Sequence, residues 1–111
     1  MWIKSDDCDK GSLKDECKGA TGQVYYSYYD GSISGPVMKT TVWFDKVKSV
    51  DNYILVAKTR TSLMDNRIVG LSHTHSEYPN FMGSLKKNGI IDEIAFSLFY
   101  NPLSVIFFLH F

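Results

Sequence analysis

At 111 residues, with twelve Lys and Arg balancing twelve Asp and Glu, the chain has room for one domain and carries no formal net charge. Its basic residues are scattered, Lys86-Lys87 being the one adjacent pair, which argues against a nucleic-acid groove and against a polybasic membrane anchor. The most apolar run, Val105 to Leu109, is far too short to cross a bilayer as a helix, and Trp2-Ile3-Lys4 leads into Ser5-Asp6-Asp7 rather than into the apolar stretch of a secretory leader.

Residues 5–22 are polar and Gly-containing, with no sustained period of 2 or 3.6, and read as loop. Cys8 and Cys17 enclose eight residues within it. Bridging them would stabilise the fold by roughly 2–3 kcal/mol in the chain-entropy model and would imply an oxidising compartment. Two free thiols fit the same spacing, so composition alone leaves both states open.

From Gln23 the pattern changes. Val24, Tyr26 and Tyr28 alternate with Tyr25, Ser27 and Tyr29, the signature of a strand. Asp30-Gly31 supplies the residue types of a positive-φ hairpin turn. Beyond Pro36, Met38, Thr40, Val42 and Phe44 alternate with Lys39, Thr41, Trp43 and Asp45 on a returning strand. Val47 to Thr59 forms a second strand whose centre, Tyr53-Ile54-Leu55-Val56-Ala57, is apolar enough to be covered on both faces.

Residues 60–67 read as loop, followed by the short strand Ile68-Val69 that Gly70 ends. Asn80 is placed to cap a helix in which Phe81 and Leu85 share a face, Lys86-Lys87 occupy the last turn and Asn88-Gly89 stops the helix. Phe96, Leu98 and Tyr100 then alternate against Ser97 and Phe99 as a final strand. The expected fold class is mainly β with one short helix.

Several constellations of chemical side chains are weak. His73-Thr74-His75 would need His110 or Cys8 to approach a zinc site, and a polar loop explains the pair better, since tetrahedral sites require more and better-spaced ligands. No nucleophile elbow accompanies any Ser-His-Asp combination. The aromatic run Tyr25-Tyr26-Tyr28-Tyr29 lacks the basic groove that base stacking needs.

The order and spacing of four landmarks carry more weight than any of them singly. Met1-Trp2-Ile3-Lys4-Ser5, Tyr28-Tyr29-Asp30-Gly31-Ser32-Ile33-Ser34-Gly35, Ile68-Val69-Gly70-Leu71 and Phe96-Ser97-Leu98-Phe99-Tyr100 together resemble the first lobe of a pepsin-like aspartic endopeptidase, read from just after its first catalytic aspartate. The resemblance covers residues 1–101 as a partial N-terminal lobe, whereas 102–111 is an apolar tail unlike the family. It implies a chain incomplete at both ends.

Several roles follow from that resemblance. It places the flap, the hairpin that closes over substrate, at Tyr28, Tyr29, Asp30 and Gly31, with Trp2 as the hydrogen-bonding partner of Tyr28. Ile68, Val69 and Gly70 become the strand that supports the catalytic loop. It favours a Cys8–Cys17 disulfide and a secreted or lysosomal/vacuolar location, and it implies a peptide or protein substrate, no nucleic acid, no membrane, no cofactor and no metal. Three departures stand out: Tyr29 occupies a place usually held by Gly, Asp30 stands at the flap tip, and Asn66-Arg67 replaces Asp-Gly.

The family's reaction uses two carboxylates sharing one proton to activate a water, one from each lobe. Neither Asp-Thr-Gly nor Asp-Ser-Gly occurs here, so no catalytic residue is assigned and the chain is expected to be inactive. The alternatives are a non-catalytic peptide-binding β-rich protein and a fragment without independent function.

Overall fold

The computed structural model describes residues 1–9, 13–61, 67–71, 78–101 and 106–110, with side chains described as far as Phe99. Its centre is a twisted sheet in which β1 (Trp2–Lys4), β4 (Val47–Ala57), β3 (Gly31–Phe44) and β2 (Thr21–Tyr28) lie side by side in that order. β1 runs parallel to β4, with Trp2 opposite Leu55 and Lys4 opposite Ala57. The other neighbours are antiparallel hairpin partners, as their short connections require. A short strand β5 (Thr59–Arg60) pairs with the start of β3.

The apolar centre of β4 serves both faces of this sheet. Leu55 and Ala57 join Trp2 and Ile33 in one buried cluster, while Ile54 and Val56 join Met38 in a second. Successive side chains of a strand point to opposite faces, so a run of four buried residues must feed two cores. Ile54, Leu55 and Val56 each contribute about 1.5–3 kcal/mol when fully buried, and the single methyl of Ala57 less.

Within residues 5–22, the described stretches 5–9 and 13–22 are more ordered than a loop. A 3-10 helix (Ser5–Asp9) is followed by α1 (Leu13–Lys18), and β2 begins at Thr21. Leu13, Cys17 and Ala20 lie at i, i+4 and i+7 and pack against the Met38 cluster. One leucine, one cysteine and one alanine, all half-buried, are a faint stripe, which is why periodicity alone points to loop.

Helix α2 (Phe81–Lys87) carries the caps its sequence implies. Asn80 accepts a hydrogen bond from the Gly83 N–H at 2.8 Å, and Gly89 takes φ +72° just past the end. Met82 and Leu85 are buried, and Phe81 meets Phe44 edge-on with ring centroids 5.8 Å apart. Asn88 ties the helix to β4, its side-chain amide donating to the carbonyls of Val50 and Ser84 at 2.8 Å each. Those contacts meet β4 at a register shift, where Asp51 adopts φ 55°.

Two strands stand apart from the main sheet. β6 (Ser97–Asn101) pairs antiparallel with β7 (Ile106–His110), so the apolar segment near the end is the second strand of a hairpin. Ile94, Phe96, Leu98 and Phe99 remain exposed. Among the described residues no helix is long and apolar enough to cross a membrane.

Candidate functional site

The hairpin of β2 and β3 ends in the pair Tyr28 and Gly31, with Tyr29 and Asp30 making the turn. Tyr29 is fully exposed, so its bulk meets nothing at the tip. Among the described residues the left-handed conformation occurs at Asp45, Asp51, Gly22 and Gly89. The expectation of a positive-φ turn at Asp30-Gly31 is therefore corrected: Gly31 already belongs to β3, and the turn closes without it.

Gly35 is required for a different reason. A Cβ there would stand 1.9 Å from the Val56 carbonyl oxygen. At this point β3 passes from β5 to β4 as neighbour, and its backbone is drawn in by hydrogen bonds from the Lys58 N–H to the Ser34 carbonyl (3.0 Å) and from the Thr61 N–H to the Ser32 carbonyl (3.1 Å). These bonds run along the edge of β3 from Ser34 to Ser32, one residue short of the terminal Tyr28–Gly31 pair.

Tyr26 and Tyr28 share one face of β2. Tyr26 packs against the cluster of Trp2, Ile33, Leu55 and Ala57. Tyr28 lies two residues nearer the tip, about 6–7 Å along the strand, and is 36% exposed. Its phenol is held above its ordinary pKa of 10.0, chiefly because burial disfavours the phenolate and secondarily through Tyr26.

Beneath the hairpin is a cavity of about 210 Å³ bounded by Tyr26, Tyr28, Tyr53, Tyr78, Gly70 and Asn80, among others. Tyr53 and Tyr78 stack at a tilt, ring centroids 5.2 Å apart. None of the described residues that line it is acidic. Such a site offers aromatic surface and phenol hydroxyls, suited to apolar side chains and to backbone amides, and no carboxylate to move a proton.

Trp2 lies in the core below the hairpin, 1% exposed. Its backbone N–H donates to the Ile68 carbonyl at 3.0 Å, which bridges β1 to the Ile68-Val69-Gly70 segment. Ile68 packs on the Trp2 cluster, Val69 is about half exposed, and Gly70 borders the cavity. The segment thus makes one bridge, not the strand that its sequence suggests. The expected hydrogen bond between Trp2 and Tyr28 is not formed: the indole N–H is buried and has no partner among the described residues. Tyr26, nearer the base of the strand, packs on the Trp2 cluster as well as lining the cavity, whereas Tyr28 lines the cavity without joining that cluster.

Cys8 and Cys17 are joined by a disulfide with Cα atoms 5.8 Å apart, tying the 3-10 helix to α1. Arg67 makes a two-pronged ion pair with Asp7 and has no positive φ, so the replacement of Gly at this place is accommodated. Among the described residues no three His, Cys, Asp or Glu side chains are grouped to hold a metal, and His73, Thr74, His75 and Asn66 lie outside those residues.

Sequence reasoning did not single out Tyr53 or Tyr78. Tyr53 was recoverable, because it lies two residues before Leu55 on the face of β4 that carries Ala57. Tyr78 follows no periodic segment and gives no such signal. Compared with known families, residues 2–107 match the eukaryotic aspartyl protease family. No individual curated protein matches the chain.

Proposed function

Because this chain belongs to the eukaryotic aspartyl protease family, we propose that residues 1–101 are part of the first lobe of a pepsin-like endopeptidase and serve peptide binding rather than bond cleavage. On this reading Tyr28, Tyr29, Asp30 and Gly31 form the flap, Trp2 supports it from the core, and Ile68, Val69 and Gly70 back the catalytic loop of the intact family. Residues 102–111 form the tail that follows. The observation that carries the reading is the cavity under the hairpin, which has Tyr28 and Gly70 among its walls.

The absence of cleavage rests on chemistry. Two carboxylates sharing a proton act as acid and base on one water, and without that pair most of the rate is lost. The sequence holds neither Asp-Thr-Gly nor Asp-Ser-Gly, and the described lining of the cavity holds no carboxylate. The disulfide supports an oxidising destination, secreted or lysosomal/vacuolar.

The test is an acid-pH peptidase assay on the recombinant chain beside a binding measurement with a transition-state-like aspartic peptidase inhibitor. No cleavage is expected, together with binding that Tyr28→Ala weakens. Inhibitor-sensitive cleavage would overturn the non-catalytic reading, and binding indifferent to Tyr28→Ala would remove the flap assignment.

A further inference from the structure

A second concavity lies away from the flap, where α1 and the disulfide meet β3, β4 and the residue after β4. It measures about 420 Å³, with Lys14, Lys18 and Lys58 on its walls and Pro36, Val56 and Ala20 contributing apolar surface. Ser5 and Asp9 are also on its walls, so among the described lining residues the charge is three positive against one negative.

Three features make this arrangement more than a scatter of surface lysines. Lys14 and Lys18 lie at i and i+4 of α1, one above the other, where like charges repel. Lys58 comes from a remote part of the chain, just beyond β4, and the fold brings it to the same hollow. Among the described residues neither Lys14 nor Lys58 has a carboxylate partner, and Lys18 reaches only the exposed Asp15 at 3.9 Å. An anion seated among the three would relieve the repulsion and gain charge-assisted hydrogen bonds.

We propose that this cleft binds an anionic ester, a phosphate or sulfate monoester whose organic part rests on Pro36, Val56 and Ala20. The disulfide ties α1 to the 3-10 helix and so keeps Lys14 and Lys18 on the same cleft as Lys58. The cleft shares no lining residue with the flap cavity and is a separate site.

Calorimetric titration of the full chain with phenyl phosphate and phenyl sulfate tests this, with inorganic phosphate and phenol as the two halves of the ligand. Saturable binding of one ester is expected, tighter than either half, and the two ester arms show which anion is preferred. The affinity should fall as salt rises, because exposed charges are screened. Lys14→Gln combined with Lys58→Gln should weaken binding about tenfold or more. Lys39→Gln combined with Lys48→Gln, on the remote part of the β3–β4 hairpin, should leave it unchanged. The proposal fails if neither ester binds saturably, if phenol alone binds as well, or if the two double variants behave alike. Circular dichroism of both variants separates loss of a ligand from loss of the fold.

Discussion

Arg67 and Asp7, sixty positions apart, meet in a two-pronged ion pair in which Nε donates to Oδ2 at 2.6 Å and a second guanidinium nitrogen donates to Oδ1. The same Oδ2 accepts from the Lys4 N–H at 3.0 Å. Asp7 retains 13% of its side-chain exposure and Arg67 retains 52%, so the pair is half sheltered. It fastens the segment after β1 to the segment leading into Ile68, and so holds Ile68 where it bridges Trp2.

Arg67→Ala should therefore destabilise the fold by about 1–2 kcal/mol, more than an exposed ion pair contributes, because a mostly buried carboxylate loses its charged partner. Arg67→Lys should recover less than half of that, since an ammonium cannot reproduce the fork. Urea unfolding of the three proteins checks both expectations. Equal midpoints for all three would show that the pair does not hold this region.

What was legible beforehand divides along physical lines. The β2–β3 hairpin, the β4 strand and both caps of α2 follow from local rules, alternation and side-chain capping, which act over a few residues. The family resemblance was legible too, from Trp2, Gly31-Ser32-Ile33-Ser34-Gly35 and Ile68-Val69-Gly70 in order. Helix α1 escaped because the half-buried stripe that it begins, Leu13 and Cys17 with Ala20 just beyond its end, is too weak to stand out. The lining of the cavity by Tyr78, the Arg67–Asp7 pair and the grip of Asn88 on Val50 all join distant segments, and no local pattern records such meetings.

Gly35→Ala tests the close approach at the base of the hairpin. With a Cβ 1.9 Å from the Val56 carbonyl, β3 and β4 would have to separate. The expected loss is about 3 kcal/mol or more, at the upper end of overpacking effects. Gly70→Ala is the matched control, because a Cβ there meets nothing within 4 Å, and its effect should stay within about 0.5 kcal/mol. Similar losses at the two sites would contradict the packing.

Replacing both Cys8 and Cys17 by Ala should remove about 2–3 kcal/mol of stability. The bridge also packs into the second core, with Cys17 Sγ 3.8 Å from Met38 Sδ. Hydrogen exchange should therefore accelerate first in α1, ahead of the main sheet. Peptide mapping without reduction should find the two cysteines linked in protein made under oxidising conditions. Free thiols at both positions in such material would refute the pairing.

Tyr28 should leave a signature at alkaline pH. Its folded-state pKa is raised above 10.0, first by burial and then by Tyr26, while in the unfolded chain it ionises near 10.0. Below that pH both states keep the proton, and the group's contribution to stability is fully present. As pH rises past 10.0 the unfolded state releases its proton first, so stability falls until folded Tyr28 also ionises. Tyr28→Phe keeps the ring and removes the titrating hydroxyl. Its stability relative to the original chain should be constant at lower pH and should improve as pH passes 10.0. Urea unfolding of both proteins from about pH 8 to about pH 11 reads that difference directly, with the other tyrosines and lysines common to both. Parallel curves across the range would mean that the Tyr28 hydroxyl is as well solvated in the folded chain as in the unfolded one.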